Sequence, residues 1–518
     1  MKKILITLLV GLNLIIASCT DELDQHPSGL LTNSNYFQTE DDAVTAVDGI
    51  YAILVHSDKN TPLYGDQILY LNDLASDYMR AGANSNSPET RAISSVTYDA
   101  TNFEVQCTWE QIYKGIARAN IAIDNIPKVS ASDEIKQRLI NEAKFLRALL
   151  YFNAVQFWGE VPLVKSSEYS VEDLKRQSVE DVYDFIIQDL KDASALPAEQ
   201  NDKGRTTSGS AIALLSRVYL VHSSLLDADV DSDLNNAVRY AYEVINSGQY
   251  ELFANFYDAF DPAKKNGKEH IFSAQFAYGQ DNGFSGNSTQ HCTWSTGFNQ
   301  NEPVLIITDL NLFYNSYAEG DQRKNSSYAK RLYNPSTDSF FEFDLPRFRK
   351  LIDTVNGANW VASAINVPII RYADVYFTLA EALNELDGPD NVYNGISAYD
   401  ALNEIRRRAF REGKYSADPT GSTPSYTHDL SGLTKESFRD ILQQERYFEF
   451  VLEQTRWFDL VRWKKLVTSV SRTKPAVSVR NYRFPIPNSE RLLNPEGLWQ
   501  NYGYDGATVS NPYDTSYK

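Results

Sequence analysis

Positive charge, cysteine, histidine and long apolar runs are all scarce in this chain. Its 518 residues carry 49 Lys and Arg against 68 Asp and Glu, a formal net charge of −19. A protein this acidic repels phosphate and lacks the clustered cations whose counterion release drives nucleic-acid binding, so nucleic acid is excluded as a partner. The long apolar run at the N-terminus has no counterpart further on, which excludes a multi-span membrane protein. The six His stand at 26, 56, 222, 270, 291 and 428 with no pair at ligand spacing, and the three Cys form no CxxC. HExxH, GxSxG and P-loop motifs are also missing. No metal, no cofactor and no catalytic residue is therefore expected. What the chain does have is apolar and aromatic: 42% hydrophobic and 12% aromatic residues, the profile of a folded protein. The aromatics favour Tyr, 32 against 25 Phe and 7 Trp. Tyr joins a flat apolar face to an edge hydroxyl, which suits wet interfaces.

The N-terminus reads as an address and an anchor. Lys2 and Lys3 precede an apolar stretch over 4–17 that is short for a membrane span. It ends in Ile16-Ala17-Ser18-Cys19, which resembles a bacterial lipobox. The resemblance implies a signal peptide over 1–18, cleavage before Cys19 and lipidation of that thiol, with two or more acyl chains needed for stable anchoring. Thr20, Asp21, Glu22 and Asp24 then resemble the acidic export signal of surface lipoproteins. Cys107 and Cys292 are left, far apart in sequence, and their pairing stays open.

Beyond this leader the hydrophobic pattern is helical. Apolar residues at Ala43, Val47, Ile50, Tyr51 and Leu54 share one helix face over 40–56, with Thr39 as N-cap. Similar patterns predict helices over 108–126, 133–158, 178–196, 208–223, 234–247, 371–386, 397–410 and 435–466, the last being one helix or two with a bend near Gln454-Thr455. Ala-rich pairs such as 208–223 with 234–247 resemble degenerate tetratricopeptide repeats, about four pairs in all. Long insertions at about 57–103, 252–360 and 413–433 interrupt them, rich in Gly, Asn, Ser, Tyr and Phe. Short strands are predicted at 270–276 and 367–370. Asp227, Asp229, Asp231 and Asp233 evoke a calcium loop, but Ser232 replaces the required Gly and Val238 the last ligand, so a helix-capping acidic turn is expected instead.

A series of segments then points to one family. YFQTEDDAVTAVDGIY comes first, followed by NEAKFLRALLYFNAVQFWGEVPLV and GRTTSGSAIALLSRVYL. IIRYADVYFTLAEALNEL, ALNEIRRRAF, ERYFEFVLEQTRWFDLVRW, FPIPNSERLLNP and QNYGY complete it. In this order, and over nearly the whole chain, they resemble the SusD/RagB family of outer-membrane nutrient-binding lipoproteins. Gln454-Thr455 departs from the family's usual Gly. The resemblance implies a mainly α fold: tetratricopeptide-like helix pairs, ligand-binding loop insertions and minor short β-strands, in a single domain over 19–518.

The resemblance also implies a role. Such proteins are lids on SusC-like TonB-dependent transporters, anchored in the outer membrane by lipid and facing outward. They capture a glycan or, in the RagB branch, an oligopeptide. They are binders, not enzymes. Sugars stack their C–H faces on aromatics, so the loop residues Trp294, Tyr278, Phe284, Phe298, Tyr78, Tyr98 and Trp360 are the expected ligand contacts, with Asp77 and Arg80 for hydroxyls. Trp294 leads because its Ser/Thr/Gly/Asn-rich surroundings offer no helical period to bury it. The rival class is a surface glycoside hydrolase. Glu445, Glu449 and Glu453 share one helix face at i, i+4 and i+8 and could supply its carboxylates. The Arg residues around them favour ion pairing, because a general acid needs a raised pKa and Arg neighbours lower it.

Overall fold

The computed structural model describes residues 36–56, 62–83, 85, 87–225, 228–277, 305–334, 338–352, 364–416 and 426–509. Its helices are α1 (Glu40–Val55), α2 (Pro88–Ser95), α3 (Phe103–Asn125), α4 (Asp133–Trp158), α5 (Val179–Ala193) and α6 (Ser208–His222). They continue as α7 (Val230–Asn246), α8 (Gln322–Ser327), α9 (Tyr372–Asp387), α10 (Ala398–Phe410), α11 (Lys435–Phe450), α12 (Arg456–Arg462), α13 (Leu466–Val470) and α14 (Asn488–Leu493). Polar caps set the starts. Thr39, Thr207, Ser397 and Thr434 each form a reciprocal capping box that satisfies otherwise orphaned N–H groups. Asp229 caps α7 through the Ser232 N–H at 3.2 Å, the helix-capping role expected of the acidic turn.

Each helix packs on its successors. α3 lies on α4, α4 on α5, α5 on α6, α6 on α7, and α7 on α9, which also holds α10 and α11. This is the stacked-pair logic of a solenoid, where each unit buries its face on the next. Small residues permit the close crossings. A Cβ added at Gly115 would sit 2.5 Å from Leu150 Cδ1 and 3.2 Å from Ile53 Cγ2, so α1, α3 and α4 meet only because that atom is missing.

The strands are short and pair two at a time: β1 (Met79–Ala81), β2 (Val161–Pro162), β3 (Arg176–Gln177), β4 (His270–Ala274), β5 (Leu305–Ile307), β6 (Tyr328–Asn334), β7 (Ser339–Phe348), β8 (Val367–Arg371), β9 (Val392–Tyr393) and β10 (Ile396–Ser397). β4 and β8 are the two strands read from sequence, and they pair antiparallel with each other. β1 pairs with β5, and β6 with β7, also antiparallel.

One expectation needed correction. The 57–103 segment is not mainly an open loop. Leu63, Tyr64, Leu69, Tyr70, Leu71 and Leu74 are buried, and Leu63–Gln67 and Tyr70–Leu74 form two wide π-helical turns. The 435–466 stretch is, as expected, two helices, α11 and α12, separated by a turn in which Leu452 (φ 66°) and Gln454 (φ 61°) are left-handed. Residues from 62–83 stabilise that turn. The Leu452 N–H donates to Tyr78 Oη at 2.9 Å, and the Gln454 N–H to Asp73 Oδ2 at 2.9 Å.

The glutamate face of α11 is a buried ion network. Glu445 accepts from Arg323 Nη2 at 2.6 Å and from Arg406. Glu449 accepts from Arg408 Nη2 at 2.5 Å and Arg371 Nη1 at 3.0 Å. Just beyond the helix end, Glu453 accepts from Arg371 Nε at 2.6 Å and Lys350 Nζ at 2.8 Å. Burial by itself would raise the Glu449 carboxyl; Arg408, Arg371, Arg323 and Lys350 outweigh it and hold the group at about 2. A carboxyl held there is a permanent anion and has no proton to give as a general acid. A second network joins Arg446 to Asp374 and Asp459, each at 2.7 Å, and so ties α9, α11 and α12 together.

Candidate functional site

The expected ligand residues fall into three groups. Trp294, Tyr278, Phe284, Phe298 and Trp360 lie outside the described residues, as do Cys19 and Cys292. Tyr78, Tyr98 and Asp77 are described, and none is an open contact. Tyr78 is 0% exposed and meets Phe313, Phe348 and Tyr447 edge-on, with ring centroids 5.6–6.2 Å away. Tyr98 is 1% exposed and stacks on Phe484 at 4.8 Å. Asp77 is buried and grips the Arg456 guanidinium with both oxygens, at 2.9 and 2.8 Å. These three tie the 62–98 region to the C-terminal elements. Arg80 alone of the described set is exposed, on β1 opposite Ile306 of β5. Cys107 is buried, and its sulfur accepts from Gln111 Nε2 at 3.3 Å.

Below Arg80 the structure builds a support for something the sequence reading passed over. β5 pairs with β1 and also packs against β7, the second strand of the β6–β7 hairpin. At the hairpin base Tyr328 opposes Phe348, and both are buried around Tyr78 and Tyr447. Towards the turn the burial ends. Tyr333 opposes Phe340, 46% and 52% exposed, with ring centroids 5.2 Å apart. The Arg331 guanidinium lies 3.7 Å from the Phe340 centroid, and that of Arg347 lies 3.8 Å from the Phe343 centroid. Tyr333 Oη donates to Asp338 Oδ1 at 2.9 Å, which fixes the ring's edge.

Exposed large rings cost hydration free energy, and a cross-strand aromatic pair recovers a part of it, about 0.5–1.5 kcal/mol. Such rings, flanked by guanidinium donors, have what a saccharide needs: an apolar face for C–H groups and N–H donors for hydroxyls. Part of the signal was in the sequence. YAKRLYN and SFFEFDLPRF are rich in residues that favour strands, but their rings divide between the faces: Tyr333 and Phe340 are exposed, whereas Tyr328 and Phe348 are buried.

Among the described residues no group of three or more His, Cys, Asp or Glu is placed to hold a metal ion. None of the described helices is long and apolar enough to cross a membrane.

Comparison with known proteins gives consistent matches. The model of the SusD family matches residues 284–479, and the model described as starch-binding, associating with outer membrane, matches residues 32–220. A SusD-like protein P25 of Formosa agariphila is 26% identical, over 92% of this chain and 94% of its own length. A SusD superfamily protein of Parabacteroides distasonis has a crystal structure that superposes with a TM-score of 0.75 at 24% identity, over 92% of this chain and 100% of that one. A structure described as a laminarin-binding SusD-like protein superposes at 0.70 with 23% identity, over 90% and 100% of the two chains.

Proposed function

Because the chain belongs to the SusD/RagB family, we propose that it is a cell-surface lipoprotein that captures a glycan and hands it to a SusC-like TonB-dependent transporter. The observation that carries this reading is the exposed Tyr333–Phe340 pair with its Arg331 neighbour on a hairpin seated over a packed aromatic base. The proposed contact set is this hairpin, Arg80, and the aromatics Trp294, Tyr278, Phe284 and Phe298 of the segment that leads into β5. Trp360 joins them from the segment between β7 and β8. Lipid on Cys19 would hold the protein at the outer membrane. The protein binds without cleaving: Glu445, Glu449 and Glu453 are committed to Arg and Lys partners, and Glu449 stays ionised. The described binding of laminarin by a structural neighbour supports a saccharide ligand, as a statement about that neighbour.

One experiment on cells tests the whole reading. Cells carrying the native chain are exposed to a labelled glycan panel that includes laminarin, with oligopeptides as a second panel. The expected result is glycan capture with no loss of glycan length. Phe340→Ala should weaken it about tenfold, the ~1.4 kcal/mol appropriate to one stacked ring. Cys19→Ala should abolish capture on intact cells while leaving a folded protein. Shortened glycan would indicate a hydrolase, and capture of peptides alone would indicate the RagB-type ligand.

A further inference from the structure

A cleft of about 730 Å³ opens where α8, the turn at Phe256–Phe260, the residue after β7 and the end of α10 come together. Three cations line it: Lys324, Arg349 and Arg411. In a chain with 19 more acidic than basic residues, local cations are normally matched by carboxylates. Here the described residues supply no ion-pair partner to any of the three. Their contacts are neutral instead. Arg349 donates from Nη1 to the Asn325 carbonyl at 2.7 Å and rests 4.8 Å from the Tyr257 ring centroid. Lys324 Nζ lies 4.4 Å from the Tyr314 ring centroid. Arg411 shares the Gln322 Oε1 through Nε and Nη2, both at 3.3 Å.

These cations are held in place. Gln322, which positions Arg411, also accepts from the Phe256 N–H at 3.1 Å and donates to the Arg408 carbonyl at 2.6 Å, so it rivets the turn, α8 and α10 together. The carboxylates nearby do not neutralise the cleft. Asp321 spends both oxygens on buried Arg323, at 2.9 and 2.7 Å. Glu319 is exposed on the wall and pairs with none of the three cations. A guanidinium with unspent N–H groups is a ready partner for carboxylate or sulfate, whose oxygens match its fork. The Tyr257 ring and the exposed Asn325 amide add an apolar face and a hydroxyl partner beside the charges. The volume fits more than one sugar ring.

We propose that this cleft is a second saccharide site, selective for sugars that carry an anionic group, either a uronate carboxylate or a sulfate ester. The proposal rests on the glycan-binding reading of the molecule, but not on the hairpin as the place where neutral glycan binds.

The test uses the full chain purified in detergent and three probes: tetragalacturonate, a sulfated galactan tetrasaccharide and laminarin. Calorimetric titration should show the acidic probes bound, with affinity falling steeply as salt rises, because screening shortens the reach of charge to about 10 Å at 0.1 M ionic strength. Arg411→Gln should weaken the acidic probes about tenfold. It lies on the surface, and a melting curve confirms that the variant folds. Arg349→Gln should act in the same direction. Laminarin affinity should not move in either variant. The acidic probe bound more tightly identifies the anion as carboxylate or sulfate. Acidic probes bound no tighter than laminarin, or unaffected by Arg411→Gln, would overturn the cleft and leave the hairpin standing. Poly-glutamate competing as well as the saccharides would also overturn it, by making the cleft a peptide site. If Phe340→Ala leaves laminarin binding intact while Arg411→Gln weakens the acidic probes, the hairpin reading falls and the cleft stands.

Discussion

At Glu449 several charges are held out of water at once. Its side chain is 0% exposed, as are those of its partners Arg371 and Arg408 and of Glu269 on the far side of them. Desolvating ions costs several kcal/mol apiece, and the gain is secure only while every charge has its counterpart. Removing one partner is therefore worse than never having built the pair. Glu449→Gln keeps the shape and deletes the charge, leaving Arg371 and Arg408 short of one anion. We expect a loss of about 3–5 kcal/mol, read as a lower Tm at neutral pH. The sign with pH is fixed by the depressed value of about 2 against the ordinary 4.5. The stability that Glu449 contributes is complete above about 4.5 and is lost as pH falls through its folded value. The gap between native and variant Tm should close over that interval. A gap that stays constant with pH would mean the loss is one of packing and not of charge.

The elements show why some of this was legible in the sequence and some was not. Helices α1, α4, α6 and α10 start and stop within a residue of the spans read from periodicity, because Thr39, Ser132, Thr207 and Ser397 mark their starts chemically. α3 begins five residues before its expected start, because Asn102 caps it through the Glu104 and Val105 N–H groups and no apolar period announces Phe103. The site fared worse. Tyr78, Tyr98 and Asp77 sit in a Ser- and Asn-rich segment that looks like surface, yet partners almost 400 residues away bury them. Local composition carries no trace of such contacts. The break between α11 and α12 is intermediate: the bend was expected, but its agent was not. Gln454 stands left-handed without being Gly, held by the Asp73 carboxylate on its N–H and by its own Oε1, which accepts from the Gly65 N–H at 3.4 Å. A β-branched residue tolerates that backbone poorly, at a cost of order 1–3 kcal/mol. Gln454→Val should therefore lower Tm, whereas Gln454→Gly should come close to native, trading a side-chain hydrogen bond for a relaxed backbone. If both variants melt alike, the bend is set by Leu452 and Val451 rather than by Gln454.

Across the whole molecule, buried titratable groups divide into two opposed sets, and together they shape the response to pH. One set is held ionised: Glu449 and Asp374 both lie at about 2, where Arg neighbours outweigh burial. Stability from these groups falls as pH drops below about 4.5. The other set is pushed up by burial: Asp73 and Glu104 both rise to about 7, even with hydrogen bonds pulling them down. A raised carboxyl binds more protons in the folded chain than in the unfolded one. Its stability is therefore complete below its ordinary pKa near 4 and is lost as pH climbs to about 7. Buried Lys474 is lowered to about 7, so the unfolded chain binds the extra proton above that point and stability returns towards its ordinary 10.5. Added together, these linkages give Tm a maximum within the acid range at about pH 4–5 and a minimum near 7, above which Lys474 and Lys350, the latter lowered to about 8, restore it. Asp73→Asn tests the assignment. An amide oxygen can still accept from the Gln454 N–H, but the group no longer titrates. Tm measured across the acid range should then decline less between about pH 4 and 7, and the variant should equal or exceed the native protein near neutrality. A native Tm that rises steadily to pH 7, or a variant whose profile only shifts downward in parallel, would show that Asp73 is ionised in the fold and that its bond to the α11–α12 turn is an ion–dipole contact at every pH.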